Sequence, residues 1–143
     1  MSTIERAIEI AAKNHAGDID KAGKPHLLHP LRLMFAVNTP DEMIAAVLHD
    51  VIEDTDVTLE DLKAEGFDPK IVKAIDALTK KPGESRIQAA SRAAIDPIAR
   101  NVKLADVNDN MDLKRISDPK DKDFDRLKEY ASVRKLLIEH GAT

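Results

Sequence analysis

Four ionisable side chains lie within one short apolar stretch of the sequence, residues 45–55. His49 and Asp50 are followed one helical turn later by Glu53 and Asp54, among alanine, valine, leucine and isoleucine. On an α-helix, residues four apart lie on the same side, so the four groups form one polar stripe. Buried carboxylates without partners are costly, and a divalent cation that accepts imidazole and carboxylate ligands is the simplest partner. The stretch therefore predicts a metal site, with an ordinary solvent-facing stripe as the alternative.

Two other segments carry residues of the same kind. His29 stands before a proline, and Asp106 and Asn110 lie four residues apart in an otherwise apolar segment. Because the chain contains no cysteine, any metal must be held by histidine, aspartate or glutamate. The alternatives are a loop or capping role for His29 and a solvent-facing surface for the second segment, where Asn108 and Asp109 are expected to face water.

Length and composition limit the class of protein. The 143 residues fit a single domain, residues 1–143, and the abundance of helix-forming residues with only 3% aromatic residues favours an all-helical fold. The net charge of −4 argues against a nucleic-acid partner. The sequence has no apolar run long enough for a membrane span and no signal-peptide pattern, so we expect a cytoplasmic protein without a membrane partner. Its oligomeric state is not predicted.

Capping and breaking residues predict how these side chains are positioned. Thr39-Pro40 begins the helix that carries His49 and Asp50, and Asp96-Pro97 begins one that carries Asp106 and runs to about Arg115. His29 is expected just before a short helix over 31–37. The loop from 18 to 25 carries Lys21 and Lys24, and His26 beside it has no other support as a ligand. We expect about seven helices and no strand.

The combined motif is specific. His29-Pro30, the run from His49-Asp50 to Glu53-Asp54-Thr55, and Lys103 to Asp106 with Asn110 resemble the HD-domain phosphohydrolases. Within them the chain is most similar to the guanosine-polyphosphate (ppGpp) hydrolase domains of the RelA/SpoT type, including small stand-alone alarmone hydrolases. The similarity runs from about Ile8 to Arg115, and no synthetase domain is expected after it. The resemblance implies an all-α HD-domain helical bundle.

The resemblance also implies roles for individual residues. One Mn²⁺ ion, or another divalent metal, would be bound by His29, His49, Asp50 and Asp106. Glu53 and Asp54 would activate or orient the attacking water and stabilise the transition state. Asn110 would contact the nucleoside or ribose, and Lys21 falls where the family has a basic residue beside the base. Lys24, Arg32 and Lys103 are further candidates for contacts with phosphate.

Several positions depart from the family pattern. In the early loop this chain has Asp20-Lys21 where the family usually has Arg-Lys. It has Pro25-His26 where the family has Pro-Tyr, and Arg86 where a tyrosine is expected. Residues 107–109, directly after Asp106, are Val-Asn-Asp, where the family usually has Arg-Leu-His. These changes affect the side that would recognise the base and leave the proposed metal ligands intact.

The expected reaction is removal of the 3′-pyrophosphate of ppGpp or a related nucleotide alarmone. Two alternatives remain: an HD phosphohydrolase acting on another nucleotide or phosphoester, and a non-catalytic module that senses a nucleotide. Release of pyrophosphate or of orthophosphate separates the two enzymes, and binding without turnover indicates the sensor.

Overall fold

The structure, a computed structural model, describes residues 2–143, and its regular structure is helical. The helices are α1 (Ile4–Asn14), α2 (Leu28–Ala36), α3 (Pro40–Leu48), α4 (Val51–Asp54), α5 (Leu59–Ala64), α6 (Pro69–Leu78), α7 (Arg86–Ala93), α8 (Pro97–Asn110) and α9 (Asp121–Glu139). A short 3₁₀ helix covers Leu113–Arg115, and Ile19 and Pro25 form an isolated β-bridge. Residues 2–143 contain no strand, so the all-α prediction is confirmed, with nine α-helices where about seven were expected.

Side-chain caps begin most of the helices where the sequence predicts them. Hydroxyl or carboxylate oxygens accept a hydrogen bond from a backbone N–H in the first turn of each capped helix. Thr39, Asp68 and Asp96 do this for α3, α6 and α8, and a proline follows each of them. Thr3, not Ser2, caps α1, because its hydroxyl accepts from the N–H of Arg6.

Two of the expected boundaries beside the site are wrong. The helix that was expected to run unbroken from residue 40 to about 55 stops at Leu48, and α4 starts after the pair His49-Asp50. The His49 ring nitrogen Nδ1 lies 2.7 Å from the carbonyl oxygen of Ala46, which the Asp50 N–H would use in a continuous helix. His29 lies inside the first turn of α2 and not before it.

The end of α8 also differs from expectation. α8 ends at Asn110, and the stretch expected to continue it to Arg115 forms the separate 3₁₀ helix. The last helix, α9, begins at Asp121, where Asp123 accepts a hydrogen bond from the Lys120 N–H and caps the helix start.

Helix α3 lies at the centre of the fold. It packs against α1, α2, α6 and α8, and its residues from Ile44 to Leu48 are buried. Ala45 and Ala46 are fully buried, and their small side chains allow neighbouring helices to approach closely. α9 packs on α7 and α8 around a second, smaller apolar cluster that contains Val133 and Leu137. This packing brings α2, the α3–α4 junction and α8 together.

None of the helices in the described part of the chain combines the length and the apolar character needed to cross a bilayer.

Candidate active site

The structure brings together the four side chains that were predicted to bind a metal. His29 comes from α2, His49 and Asp50 from the α3–α4 junction, and Asp106 from α8. Asp106 Oδ1 lies 3.0 Å from Nε2 of His29 and 3.8 Å from Nε2 of His49. Asp50 Oδ1 lies 3.1 Å from Nε2 of His49, and Asp50 Oδ2 lies 3.9 Å from Nε2 of His29. Both imidazoles therefore face the same two carboxylates.

The chemistry of this donor set fits a divalent cation. A carbonyl oxygen only accepts hydrogen bonds, so His49 Nδ1 donates to Ala46 and the lone pair of a neutral ring is left on Nε2. That Nε2 atom is buried and has no hydrogen-bond partner in the described residues. His29, His49 and Asp50 also offer three donor atoms that all lie within 4.8 Å of one another.

The electrostatics of the two histidines agree with a cation in this position. Burial lowers the pKa of His29, but hydrogen bonds to Asp106 and Asp109 outweigh it and raise that pKa to about 10. Burial also lowers the pKa of His49, but Asp50 and Asp106 outweigh it and give a net rise. The carboxylates thus attract positive charge to the two rings, and either a proton or a metal ion supplies that charge.

Asp109 holds His29 from behind, although the sequence placed it on a solvent-facing surface. Its Oδ2 atom lies 2.6 Å from His29 Nδ1, and its carboxylate accepts hydrogen bonds from Arg32 Nε at 2.8 Å and from Arg32 Nη2 at 3.0 Å. Arg115 Nη2 donates to its backbone carbonyl at 2.7 Å. The expectation for Asp109 is therefore wrong. The available signal was its position three residues after Asp106, which puts the two carboxylates on neighbouring parts of one helix face.

His26 is the second residue that sequence reasoning missed. The sequence offered no support for it as a ligand, yet its Nε2 atom lies 3.3 Å from Asp50 Oδ2. His26, Asp50 and Asp54 form a second group whose donor atoms all lie within 4.8 Å of one another. No local spacing connects residue 26 to residues 50 and 54, so only the tertiary fold reveals this group.

Glu53 and Asp54 lie on α4, one turn beyond His49 and Asp50. Glu53 lines the cavity described below, and Asp54 lies beside His26 and Asp50. Partial burial raises the pKa of Glu53, and the charges of Asp54 and Asp50 add to the rise. Partial burial and the charge of Asp50 likewise raise the pKa of Asp54. A carboxylate with a raised pKa is a better proton acceptor near neutral pH.

Lys103 and Asn110 contact the same carboxylate. Lys103 Nζ lies 2.9 Å from Asp106 Oδ2, and Asn110 Nδ2 donates to Asp106 Oδ1 at 3.1 Å. The negative charge of Asp106 raises the pKa of Lys103. Both residues were predicted to bind substrate. In this structure they orient Asp106, and both side chains also line the cavity.

The clustered residues form the floor of a cavity of about 510 Å³, a size typical of small-molecule sites. Its walls carry the cationic side chains of Lys21, Lys80, Arg86 and Arg115. Partial burial lowers the pKa of Lys21, and the nearby charge of Arg126 adds to this. The cavity lining therefore combines four cationic side chains with the carboxylates of the cluster and those of Asp20 and Asp112.

The fourth predicted substrate-binding residue, Lys24, is not among the described residues that line this cavity. The reason lies in the loop that carries it. Asp20 Oδ1 accepts hydrogen bonds from the N–H groups of Ala22 and Lys24, each at 2.9 Å, and Gly23 supplies the positive φ of 78° that the turn requires. This closure leaves Lys21 at the cavity and Lys24 exposed.

An aromatic ring enters the cavity from α9. Arg86, which stands where a tyrosine was expected, lies over the ring of Tyr130 with its Cζ atom 4.8 Å from the ring centre. Arg86 Nε also lies 3.0 Å from Glu129 Oε2. Both Arg86 and Tyr130 line the cavity. The sequence contains a single tyrosine, but nothing in its local spacing places it at the site.

The sequence is similar to bacterial proteins that are much longer than this chain. It is 32% identical over 120 residues to the guanosine-3′,5′-bis(diphosphate) 3′-pyrophosphohydrolase of Aquifex aeolicus, a match that covers 76% of this chain and 17% of that protein. It is 32% identical over 135 residues to a probable GTP pyrophosphokinase of Mycobacterium leprae, covering 83% of this chain and 17% of that protein. The chain thus spans about 17% of the length of these curated relatives.

The fold is also found in a solved structure. A metazoan orthologue of SpoT, described as hydrolysing ppGpp and as having a role in starvation responses, superposes with a TM-score of 0.77 at 22% identity. The superposition covers 98% of this chain and 85% of the other. No protein-family model matches the chain. The matched relatives and the shared helical fold show that the chain belongs to the HD-domain family, in its branch of RelA/SpoT-type guanosine-polyphosphate hydrolase domains.

Proposed function

We propose that this protein is a metal-dependent phosphohydrolase that removes the 3′-pyrophosphate from ppGpp or a related nucleotide alarmone. The observation that carries the proposal is the joining of two features in one cavity. His29, His49, Asp50 and Asp106 converge at its floor, and the cationic side chains of the walls belong to the same lining. A divalent cation fits only the cluster of imidazoles and carboxylates, and a polyanion fits only the cationic side chains. A substrate whose phosphate reaches from the cationic wall to the floor uses both.

The residues that would hold the metal are His29, His49, Asp50 and Asp106, and Mn²⁺ suits their mixture of imidazole and carboxylate. When bound, the ion would supply positive charge to a phosphate oxygen and favour ionisation of a water molecule. Asp109 keeps the His29 ring in place through Nδ1, so that Nε2 faces the site.

Glu53 would accept the proton of the attacking water. Its raised pKa and its position on the cavity wall suit a general base. The water oxygen forms a bond to the phosphorus attached to the 3′-oxygen, the bond between that phosphorus and the 3′-oxygen breaks, and pyrophosphate leaves. The nucleoside 3′-oxygen takes a proton from solvent. Asp54, one residue along α4, contributes negative charge beside Asp50.

The cations of the cavity wall would bind the phosphate that is not transferred. Lys21 comes from the early loop, Lys80 follows α6, and Arg115 lies in the 3₁₀ helix, so three separate elements direct positive charge to one space. The stacked pair of Arg86 and Tyr130 provides flat surfaces there, a guanidinium plane and an aromatic ring, on which a base could stack. Neither feature distinguishes guanine from adenine.

The test is a substrate panel with the metal-loaded protein. Protein loaded with Mn²⁺ is incubated with ppGpp, pppGpp and the adenine analogues, and products are resolved by chromatography. The proposal expects pyrophosphate and a nucleotide with a free 3′-hydroxyl, lost in His49→Gln and retained in His140→Gln, whose exposed side chain lies far along the sequence in the last turn of the chain. Release of orthophosphate alone would assign another phosphoester substrate. Binding without any product would overturn catalysis.

A further inference from the structure

The two oxygens of Asp50 face different partners. Oδ1 lies 3.1 Å from His49 Nε2, and Oδ2 lies 3.3 Å from His26 Nε2 and 3.9 Å from His29 Nε2. A carboxylate that contacts one imidazole nitrogen outside the predicted metal set, as well as two inside it, can bridge two cation sites. The predicted metal set leaves the contact with His26 unexplained.

The residues around the contact between Asp50 and His26 form a donor set of their own. Donor atoms of His26, Asp50 and Asp54 all lie within 4.8 Å of one another. They come from separate parts of the chain, since His26 closes the early loop and Asp54 ends α4. Within residues 2–143, neither Asp50 nor Asp54 forms an ion pair with a lysine or arginine. Two carboxylates therefore lie side by side without a lysine or arginine as a fixed cationic partner.

Unpartnered imidazole nitrogens adjoin this donor set. His26 Nε2 is buried, and apart from its contact of 3.3 Å with Asp50 Oδ2, which lacks hydrogen-bond geometry, it has no polar partner in the described residues. Behind it, His15 is only 2% exposed, and neither of its ring nitrogens has a hydrogen-bond partner in the same part of the chain. The His15 and His26 ring centres are 4.7 Å apart. Buried polar groups without partners cost roughly 1–3 kcal/mol each, so two such rings beside two carboxylates indicate a missing ligand.

We propose that His26, Asp50 and Asp54 bind a second divalent cation, with Asp50 as the bridge to the first site. Imidazole with two carboxylates suits Mn²⁺ and related first-row cations. His15 packs against His26 and fixes the ring that provides the nitrogen ligand. A second cation would also offset the negative charge that Asp50 and Asp54 present to a polyanionic substrate. The role of Asp54 in hydrolysis, as a ligand of this ion, rests on the proposed function; the cation site itself does not.

The test is a count of bound metal. Protein stripped with a chelator is equilibrated with excess Mn²⁺, and bound metal per chain is measured after dialysis by mass spectrometry. We expect two Mn²⁺ ions in the wild type and one in His26→Gln and in Asp54→Asn. The control His140→Gln changes an exposed histidine in the last turn and should keep both ions. Asp54 is exposed, so its variant tests the site even if His26→Gln fails to fold.

Electron paramagnetic resonance gives a second readout that needs no activity. Two Mn²⁺ ions joined by one carboxylate are magnetically coupled, so the wild type should show a coupled signal that reverts in Asp54→Asn to that of an isolated ion. One ion per wild-type chain at saturation, or two ions in both variants, would overturn the proposal. Two coupled ions without release of pyrophosphate would reject the hydrolase function and leave the second site standing. One ion per chain together with release of pyrophosphate would reject the second site and leave the hydrolase function standing.

Discussion

The carboxylate of Asp109 offers a sharp test of how the metal site is supported. It lies outside the predicted ligand set, but its Oδ2 atom is 2.6 Å from His29 Nδ1. Burial raises the pKa of Asp109, but hydrogen bonds from His29 and Arg32 outweigh it and hold that pKa well below its usual range. The group is therefore a charged acceptor that orients His29 and increases the basicity of its other nitrogen.

We predict that Asp109→Asn weakens Mn²⁺ binding about 10–100-fold, or about 1.4–2.8 kcal/mol. The amide keeps the size of the side chain and one acceptor, but it loses the charge. It also has one fewer acceptor than the carboxylate, which receives two hydrogen bonds from Arg32 as well as the contact to His29. Arg115 Nη2 is a fourth donor, 3.4 Å from Oδ2, so at least one donor must face the amide NH₂ group. Whichever way the amide turns, the ring of His29 loses its charged acceptor.

The assay is calorimetric titration of the metal-free protein with Mn²⁺. Asn108→Ala is the matched control, because residue 108 is the preceding position of the same helix and is exposed, with one hydrogen bond from Arg134 Nε at 3.0 Å. Far-ultraviolet circular dichroism checks that both variants are folded. An affinity of Asp109→Asn within about twofold of the wild type would refute the reasoning, as would an equal loss in Asn108→Ala.

Three further predictions concern catalysis, the early loop and the junction after α6. Glu53→Gln should lower kcat about 10²–10⁴-fold while the bound metal, measured by mass spectrometry, is unchanged; loss of metal would instead make Glu53 a ligand. Asp20→Arg removes the acceptor of two loop hydrogen bonds and should raise KM for ppGpp by up to about tenfold, while Asp20→Asn keeps the acceptor; a lower KM in Asp20→Arg would show that charge outweighs the turn. Hydrogen bonds from Arg92 lower the pKa of Glu84 from 4.5 to about 2, so its contribution to stability is present above pH 4.5 and is lost as pH falls towards 2. Glu84→Gln should therefore lower the Tm at neutral pH by an amount that shrinks below pH 4.5, and a constant difference in thermal unfolding would contradict this.

Much of the helical framework could be predicted from local sequence. Thr39-Pro40, Asp68-Pro69 and Asp96-Pro97 each combine a side-chain cap with a proline whose missing N–H would be unpaired in the first turn, so the helix starts depend on neighbouring residues alone. The polar stripe of residues 49–54 could be recognised for a related reason, since ionisable groups at helical spacing inside an apolar segment are costly unless a ligand accounts for them. The assignment of His29 and Asp106 to the same metal came from the resemblance to the HD-domain phosphohydrolases.

The tertiary structure decided which other groups meet this cluster. His26 reaches Asp50, and Tyr130 reaches the cavity, across separations in sequence that no helical or turn period relates. Asp109 is one turn from Asp106 on α8, but only the approach of α2 turns its face of that helix into an interior surface. The break at His49-Asp50 depends on a side-chain hydrogen bond to a carbonyl that a regular helix would use itself. Local sequence determines helix starts and donor types, whereas the meeting of distant donors depends on how the helices pack, because packing is a property of the whole chain.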